Sequence, residues 1–308
     1  MYGNVTRDSS YKARLLNFLE TEYDINARDI TPAKRGFYGE TWRVGSYFVK
    51  LDYSFHKDTY RRSFSVLERI VNSGIRNVSI PVKTRVGKLC SYFDNAVVGV
   101  FRWIDGENIE NDETTVAVYD ILSQVYTVPT ENFPAPRINF DTGMADLFYS
   151  QLAKLDDKPL LRLFGEYEPV LAKRRLRYEK FARLCQSCND NFFITHGDAG
   201  GNVIKNNDKF YIVDWDDTAI AAPERDAWFG IHLDWAEQDF NNALARRGID
   251  YSLRPQRLAY YCYRAFFEYL TLYMYTHFEL PGCLKPENLR EGYFENWIKR
   301  NISYADSM

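Results

Sequence analysis

The order of apolar and polar positions in the first third of the chain switches between two spacings. Apolar residues recur every three or four positions in two stretches, which predicts two helices. Short alternating or continuous apolar runs, bounded by glycine, asparagine or aspartate, predict four strands that pair as hairpins. The predicted elements are a helix over 11–19 with Ser9 and Ser10 as candidate caps, strands over 42–44, 47–51, 88–93 and 96–104, and a helix over 60–71.

Helical spacing predominates beyond Asp105, and a small group of strands interrupts it. The predicted helices cover 113–127, 166–188, 225–240, 254–276 and 286–300, and the strands cover 192–194, 203–204 and 210–213. We therefore expect an α+β, bilobal fold, with a small antiparallel-sheet lobe over 1–104 and a larger, mainly helical lobe over 105–308. A ligand is expected to bind between the two lobes.

Charge and composition exclude several classes of function. The 39 lysines and arginines are balanced by 42 aspartates and glutamates, so no excess of basic charge favours nucleic-acid binding. No apolar run reaches membrane-spanning length, and the first residues lack the apolar core of a secretory signal. The five cysteines are an odd set that suits free thiols in a reducing compartment. We expect a cytoplasmic protein without nucleic-acid or membrane partners, and its oligomeric state stays undefined.

Oxygen-bearing side chains gather in the small group of strands within the helical part. Residues 194–204 read Ile-Thr-His-Gly-Asp-Ala-Gly-Gly-Asn-Val-Ile, and residues 211–217 read Tyr-Ile-Val-Asp-Trp-Asp-Asp. Asp198 and Asn202 share one tight loop and Asp214 ends the following hairpin, so the three can converge. Phosphoryl transfer needs hard oxygen ligands for Mg²⁺ and a carboxylate that orients the accepting hydroxyl. Each residue alone suits a turn, but the three together favour a metal site.

A loop with two glycines precedes the first predicted hairpin. Gly36 and Gly39 lie in Lys-Arg-Gly-Phe-Tyr-Gly-Glu-Thr at 34–41, and Lys50 lies on the second strand of the hairpin. The backbone N–H groups of such a loop can cover phosphates, and the lysine can reach them. Paired glycines are also common in hairpin turns, and strand lysines are commonly exposed. The position of the lysine just after the loop favours the phosphate role.

These motifs resemble those of the aminoglycoside phosphotransferase and choline kinase family, the small-molecule branch of the protein-kinase-like fold. The resemblance rests on His-Gly-Asp at 196–198 with Asn202, on Asp214, on Arg-Asp at 225–226, and on the glycine loop with Lys50. The chain is most similar to the spectinomycin-kinase-like members. The resemblance implies an enzyme, a small-molecule kinase that uses ATP or GTP with Mg²⁺. Its acceptor would be a hydroxyl of an aminoglycoside or aminocyclitol, which implies a role in antibiotic resistance.

The resemblance also implies roles for individual residues. Asp198 would be catalytic and orient the acceptor hydroxyl, Asn202 and Asp214 would hold Mg²⁺, and Lys50 with Gly36 and Gly39 would contact the nucleotide phosphates. Phe101 and Trp103 belong to the candidate hinge at 100–103, which would contact adenine through backbone groups. Asp226 would brace the catalytic loop. His196 could be a general base, but in this motif a scaffold role is favoured.

Two departures from the family pattern affect these roles. Most members place the asparagine five residues after the aspartate, whereas Asn202 follows Asp198 by four. The glycines at 200–201 can close a shorter loop. The second departure is the ion-pair partner of Lys50, commonly a glutamate on the small-lobe helix. Ser63 stands at that position, and Glu68 lies well off the same face, so the partner stays unassigned.

Candidate acceptor-binding residues follow the metal aspartate. Acids and aromatic rings occur together there, and they would suit a polycationic or aminocyclitol acceptor through ion pairs and cation–π contacts. An amphipathic helix with a solvated acidic face fits the same pattern equally well. The candidates are Asp217, Trp228, His232 and Trp235.

Two alternatives to an antibiotic kinase stay open. The first is a metabolite kinase, acting for example on choline, homoserine or a sugar. The second is a catalytically silent, kinase-like protein that binds a nucleotide. The short interval between Asp198 and Asn202 and the missing helix glutamate motivate the silent alternative.

Overall fold

The computed structural model describes residues 7–33, 39–53, 57–188, 191–276 and 293–308. The chain divides into two compact units. One contains the residues up to 136 together with 196–219, and the other contains 137–195 together with 220–308. The predicted lobes, 1–104 and 105–308, stay a prediction beside this division. No helix in the described part of the chain is long and apolar enough to cross a membrane.

The elements confirm an α+β fold with a small antiparallel sheet and a mainly helical remainder. In chain order they are α1 (Ser9–Tyr23), β1 (Ile30–Pro32), β2 (Glu40–Val44), β3 (Tyr47–Asp52), α2 (Lys57–Asn72), β4 (Ser91–Phe93), β5 (Ala96–Arg102), β6 (Glu107–Asn108), α3 (Asp112–Val125), α4 (Gly143–Leu152), α5 (Lys158–Gln186), β7 (Phe193–Thr195), β8 (Val203–Asn206), β9 (Lys209–Ile212), β10 (Ala219–Ala221), α6 (Glu224–Ala227), α7 (Ala236–Arg246), α8 (Pro255–Thr276) and α9 (Tyr293–Ser307).

A five-stranded antiparallel sheet, in the order β1-β2-β3-β5-β4, forms the base of the first unit. Both predicted hairpins are confirmed. Their turns place Gly45, Asp94 and Asn95 in the left-handed region of backbone conformation, which suits tight hairpin connections. Strands β4 and β5 are shorter than predicted, since β4 begins at Ser91 and β5 ends at Arg102, whereas β2 and β3 are slightly longer than predicted.

Helix α1 covers one face of this sheet. Leu15 and Leu19, one helical turn apart, are fully buried in the same apolar cluster as the strands. Burial of each leucine side chain stabilises the fold by about 1.5–3 kcal/mol. The serines predicted as caps are the first residues of the helix instead. Asp8 is the cap, and its carboxylate accepts a hydrogen bond of 2.7 Å from the backbone N–H of Tyr11.

Helix α2 covers the opposite face, where a glycine makes room for it. The register of β3 and β5 places Gly99 opposite Lys50. A Cβ atom at Gly99 would lie 1.7 Å from the Cζ atom of Phe64, which belongs to α2. The Phe64 ring also stacks on Phe101, with 5.1 Å between the ring centroids. The close packing of α2 on the sheet therefore depends on the absence of a side chain at Gly99.

A second, three-stranded sheet of the first unit carries the loop that the sequence singled out. Its order is β6-β8-β9, and both pairs are antiparallel. The predicted turn between β8 and β9 is confirmed, and Asn207 adopts the left-handed conformation that asparagine tolerates. Strand β8 directly follows Asn202, and β9 leads into Asp214, so this sheet connects the two parts of the candidate site.

The second unit is mainly helical, and one predicted helix in it is wrong. Helical spacing over 225–240 predicted one continuous helix. The structure instead has α6, a 3₁₀ turn at Trp228–Gly230 and then α7. Gly230 has low helix propensity, and all four residues of α6 are buried, so no solvent-facing side continues through this segment. The predicted helix over 286–300 is described from Tyr293, where α9 begins, and its earlier residues lie outside the described ranges.

Candidate active site

Three of the predicted site residues lie together in the first unit. The side-chain amide of Asn202 donates to the backbone carbonyl of Asp198 at 2.7 Å and to its Oδ2 atom at 3.1 Å. The carbonyl of Asn202 accepts from the N–H of Val213 at 2.9 Å, and Val213 precedes Asp214. These bonds join the loop to the end of β9. The interval of four residues is therefore long enough for Asn202 to contact Asp198.

His196 lies beneath this loop and is fully buried. Its Nδ1 atom accepts from the N–H of Asp198 at 3.2 Å, so the proton is assigned to Nε2, which donates to the carbonyl of Val213 at 2.9 Å. The ring also packs edge-on against Trp215, with centroids 4.6 Å apart. Both ring nitrogens are engaged in holding the loop, which is the scaffold role that the sequence favoured over a general base.

Asp214 has an unusual backbone conformation for a residue other than glycine. Its φ of 62° and ψ of 63° lie in the left-handed region, directly before the 3₁₀ turn at Trp215–Asp217. Such conformations cost free energy and recur at functional sites. Trp215 fixes the turn, because its indole N–H donates to the carbonyl of Ile212 at 3.0 Å within a buried environment.

Lys50 reaches this turn from strand β3. Its Nζ atom donates to Oδ1 of Asp214 at 2.9 Å and to Oδ2 of Asp216 at 2.5 Å. Its ammonium also lies 5.0 Å from the centroid of the Tyr60 ring. Sequence reasoning assigned no partner to Lys50. Glu68, the acid considered on α2, pairs with Lys83 instead, as its position off that face implied.

Desolvation opposes charge on all three members of this cluster, and the neighbouring charges raise or lower each pKa against it. Desolvation disfavours the Lys50 ammonium, but the charges of Asp216 and Asp214 raise the pKa of Lys50 above its usual value. Desolvation also opposes ionisation of Asp214, yet Lys50 outweighs it and lowers the pKa of Asp214. For Asp216, desolvation and the charge of Asp214 outweigh Lys50, and its pKa is raised. Of the two carboxyl groups, Asp214 therefore has the lower pKa.

The end of the glycine loop lies against Lys50. A Cβ atom at Gly39 would be 3.6 Å from both the Cγ and Cε atoms of Lys50 and 3.1 Å from the carbonyl oxygen of Leu51. A larger residue at this position would press on the lysine side chain. Gly36, the other glycine predicted to contact phosphates, lies outside the described residues.

An aromatic ring lies on the same side of strand β3 as Lys50, and two more rings lie near it. Phe48, two residues before Lys50, faces the same side of β3 because side chains alternate along a strand. Its ring lies 6.3 Å from Phe101 and 6.4 Å from Trp103, the predicted hinge residues. The backbone N–H of Trp103 donates to the carbonyl of Ser46 at 2.9 Å. Sequence reasoning missed Phe48, although its spacing from the lysine was a usable signal.

The predicted acceptor residues fall in both units. Asp217 is exposed on the 3₁₀ turn of the first unit. In the second unit, Trp228 contacts the Tyr269 ring, with centroids 6.5 Å apart, and Trp235 is half-buried before α7. The Nδ1 atom of His232 lies 2.9 Å from Oδ1 of Asn301 on α9. Asp226, predicted to brace the loop, is buried.

The fit of a magnesium ion depends on two of these residues. Among the residues that the structure describes, no three histidine, cysteine, aspartate or glutamate side chains are grouped to hold a metal. Asn202 and Asp214 would supply one amide and one carboxylate oxygen, and the Asp214 side chain keeps 41% of its surface exposed. Mg²⁺ commonly takes one or two carboxylates and completes its octahedron with water and phosphate oxygens. The residues present therefore fit the ion.

Fold and site define the class of this protein as a small-molecule phosphotransferase, and comparison with known proteins places it in a family. The sequence profile of the phosphotransferase enzyme family matches residues 29–266. The chain belongs to this family and is a small-molecule kinase by class. No curated protein matches the chain by sequence.

Solved structures give the same fold at low sequence identity. Spectinomycin phosphotransferase in complex with ADP and spectinomycin is 18% identical, with a TM-score of 0.73 over 96% of this chain and 97% of that one. Aminoglycoside 2'-phosphotransferase-IIIa in complex with GDP is 16% identical, with a TM-score of 0.64 over 96% and 100%. An aminoglycoside phosphotransferase from Alicyclobacillus acidocaldarius is 13% identical, with a TM-score of 0.59 over 93% and 95%. The protein-kinase-like fold expected from the motifs is confirmed.

Proposed function

We propose that this protein transfers the terminal phosphoryl group of ATP or GTP, with Mg²⁺, to a hydroxyl group of an aminoglycoside or aminocyclitol antibiotic. The observation that carries the proposal is the assembly of Asp198, Asn202 and the Lys50–Asp214 ion pair within one packing unit. Membership of the phosphotransferase enzyme family supports the reaction class. The likeness to structures that hold ADP with spectinomycin, or GDP with kanamycin, supports the donor and the acceptor class.

In this proposal Asp198 is the catalytic carboxylate. It would orient the acceptor hydroxyl for in-line attack and accept its proton as the new P–O bond forms and the bond to the nucleoside diphosphate breaks. Asn202 would hold the Asp198 carboxylate in place through its amide N–H. Because the backbone of Asp198 is bonded to His196, the carboxylate starts from a fixed main-chain position. Positioning of this kind supplies much of the barrier reduction in phosphoryl transfer.

Nucleotide binding is assigned to the sheet of the first unit. Lys50 would pair with the phosphates, and Gly36 and Gly39 would let the loop backbone approach them. The hinge residues Phe101 and Trp103 would contact the base through backbone groups, and the Phe48 ring would lie against it. Asn202 and Asp214 would hold Mg²⁺, which neutralises charge on the phosphates when bound.

The acceptor would be recognised by acids and aromatic rings. We assign this role to the candidates from the sequence, Asp217, Trp228, His232 and Trp235. A cytoplasmic location suits this donor and acceptor. The silent alternative rested partly on the short loop, and the contact between Asn202 and Asp198 argues against it. A metabolite kinase would use the same phosphate site with another acceptor.

The test is a coupled assay of nucleoside diphosphate release with ATP and with GTP. The panel of acceptors contains aminoglycosides, spectinomycin, choline, homoserine and sugars, each with Mg²⁺ and with excess chelator. We expect turnover with an aminoglycoside or an aminocyclitol, and none with chelator. Expression of the gene in a susceptible host should raise resistance to the same compound. Turnover with a metabolite alone would reject the antibiotic acceptor, and binding of nucleotide without any turnover would favour the silent alternative.

A further inference from the structure

The phosphate-binding lysine has no acid to pair with on helix α2. This helix carries two acids, and each has another cation as its partner. Asp58 pairs with Arg61 at 2.6 Å, and Glu68 pairs with Lys83 at 2.5 Å. The helix instead presents Ser63 at the position where the family resemblance led us to expect a glutamate, with Tyr60 one turn before it.

The missing carboxylate is supplied from the 3₁₀ turn after Asp214. Oδ2 of Asp216 accepts a bond of 2.5 Å from Lys50, shorter than the 2.9 Å bond to Asp214. Helix α2 packs against this turn, and Ser63, whose hydroxyl donates to the carbonyl of Tyr60 at 2.7 Å, lies beside the Asp216 carboxyl. Asp216 thus lies between the lysine and the helix, in the place that a longer acidic side chain on the helix would reach.

A second partner for the lysine solves a conflict at Asp214. If Lys50 were held by Asp214 alone, the ammonium and a bound magnesium ion would compete for one carboxylate. With Asp216 as a partner of its own, Lys50 would stay in place and the Asp214 carboxylate would be left for the ion. Asp216 is also well fixed, because it follows Trp215, whose indole N–H is bonded to Ile212 and whose carbonyl accepts from the Thr218 hydroxyl at 2.8 Å.

We propose that Asp216 is the positioning residue of Lys50 and that it takes over, with Ser63 as its contact on α2, the task of a helix glutamate. The inference rests on the proposed role of Lys50 in binding nucleotide phosphates. It predicts that the negative charge is needed near the lysine but can be supplied from either side. A carboxylate moved from the turn to the helix should restore what its removal from the turn takes away.

The experiment compares wild type with Asp216→Ser, Ser63→Glu and the double variant that carries both changes. Removing a hydrogen-bonded partner of a charged group costs about 10- to 100-fold in the step that uses it. We therefore expect Asp216→Ser to raise the KM for nucleotide and lower kcat by a combined 10- to 100-fold, with an unchanged KM for the acceptor. The double variant should recover at least about tenfold of this loss. Ser63→Glu alone should not gain activity, because it adds a third acid to one ammonium.

Two further measurements separate the explanations. Thermal unfolding of each variant shows that it is folded, and Asp58→Ser, which removes an exposed acid of α2, is the matched control with unchanged nucleotide kinetics. If Asp216→Ser chiefly raises the Mg²⁺ concentration required and the double variant recovers nothing, Asp216 is a metal ligand and the inference is wrong. Unchanged nucleotide kinetics in a folded Asp216→Ser variant would also reject it. A wild type that binds no nucleotide by calorimetry would reject the proposed function itself, and the inference with it.

Discussion

The loop that carries Asp198 and the strand that carries Lys50 are held in place by different kinds of contact. Loop contacts join residues that are close in sequence, from His196 with Asp198, two positions apart, to His196 with Val213, seventeen positions apart. Lysine contacts join residues 164 and 166 positions apart, Lys50 with Asp214 and Lys50 with Asp216. Closing such long loops costs more conformational entropy and needs other packing to offset it.

The difference implies two ways in which the site can fail. The loop geometry is set by a short stretch of chain, so changes in it should remove chemistry while the sheet stays folded. The lysine geometry depends on how α2 is seated on the sheet, so changes in core packing should act on it indirectly. Substitutions in the two regions therefore distinguish loss of chemistry from loss of packing.

The largest effect is expected from Asp198→Asn in the loop. Asparagine keeps the size and a hydrogen-bond acceptor for Asn202, but it cannot take the proton of the acceptor hydroxyl. Phosphoryl transfer should fall about 10²- to 10⁴-fold, with the nucleotide affinity and the unfolding temperature close to wild type. Steady-state kinetics, calorimetry with the nucleotide and thermal unfolding check the three parts. A loss of less than about tenfold in kcat would be smaller than the loss expected when a general base is removed. It would show that Asp198 is not catalytic.

The contrast between near and distant contacts also explains what the sequence could predict. The convergence of Asp198, Asn202 and Asp214 was predictable because one loop and one hairpin connect them. The pairing of Lys50 with Asp216 was not, because no local pattern links residues so far apart and the family pattern directed attention to Ser63. Strand alternation could have indicated Phe48, because a residue two positions before Lys50 lies on the same side of β3.

Prediction was weakest where local spacing and burial disagreed. The segment 225–240 has helical spacing of its aromatic and acidic residues, but the buried side chains of α6 and the glycine at 230 divide it. Helical spacing of apolar residues predicts a helix with one apolar face, and a segment that is buried on every side has no single apolar face. The cap of α1 was missed for a smaller reason, because serine and aspartate are both good caps and Asp8 precedes the serines.

A smaller but still large effect is expected from His196→Ala. The change leaves the N–H of Asp198 and the carbonyl of Val213 without their buried partner, and it opens a cavity beside Trp215. Together these should cost about 2–4 kcal/mol in the free energy of unfolding. We expect kcat to fall by about 10- to 100-fold, in line with a misplaced catalytic group. Denaturant unfolding and steady-state kinetics measure both.

His196→Asn is the matched variant for this histidine. Asparagine offers one donor and one acceptor on a shorter side chain, so it should regain part of the lost stability and part of the rate. A general base would behave differently, because asparagine cannot take up a proton. If the asparagine variant regains stability but remains as inactive as Asp198→Asn, the scaffold interpretation of His196 is wrong.

Packing on the lysine side is tested by Gly99→Ala. The added methyl group would lie 1.7 Å from Phe64 Cζ, so α2 must move. Overpacking of this kind costs about 1–3 kcal/mol, and the moved helix should carry Tyr60 and Ser63 away from Lys50. We expect a raised KM for nucleotide with little change in the KM for the acceptor. The control is Gly165→Ala on α5, where nothing lies within 4 Å of the added atom, and which should stabilise by about 0.4–1 kcal/mol.

The smallest effect is expected from Glu68→Gln, which tests whether an acid of α2 pairs with Lys50. Glu68 pairs with Lys83 at a partly exposed site, with 29% and 53% of the two side chains exposed, and such pairs contribute about 0–1 kcal/mol. The unfolding free energy should fall by no more than this, and Lys83→Met should remove the same small amount without adding to it in the double variant. The KM for nucleotide should stay at the wild-type value, because the ammonium of Lys50 is held from the 3₁₀ turn. A tenfold rise in that KM with unchanged stability would mean that Glu68 reaches Lys50 when nucleotide binds. The lysine would then be held by an acid of α2 as well as by the 3₁₀ turn, and the contrast with the locally held loop would have to include that acid.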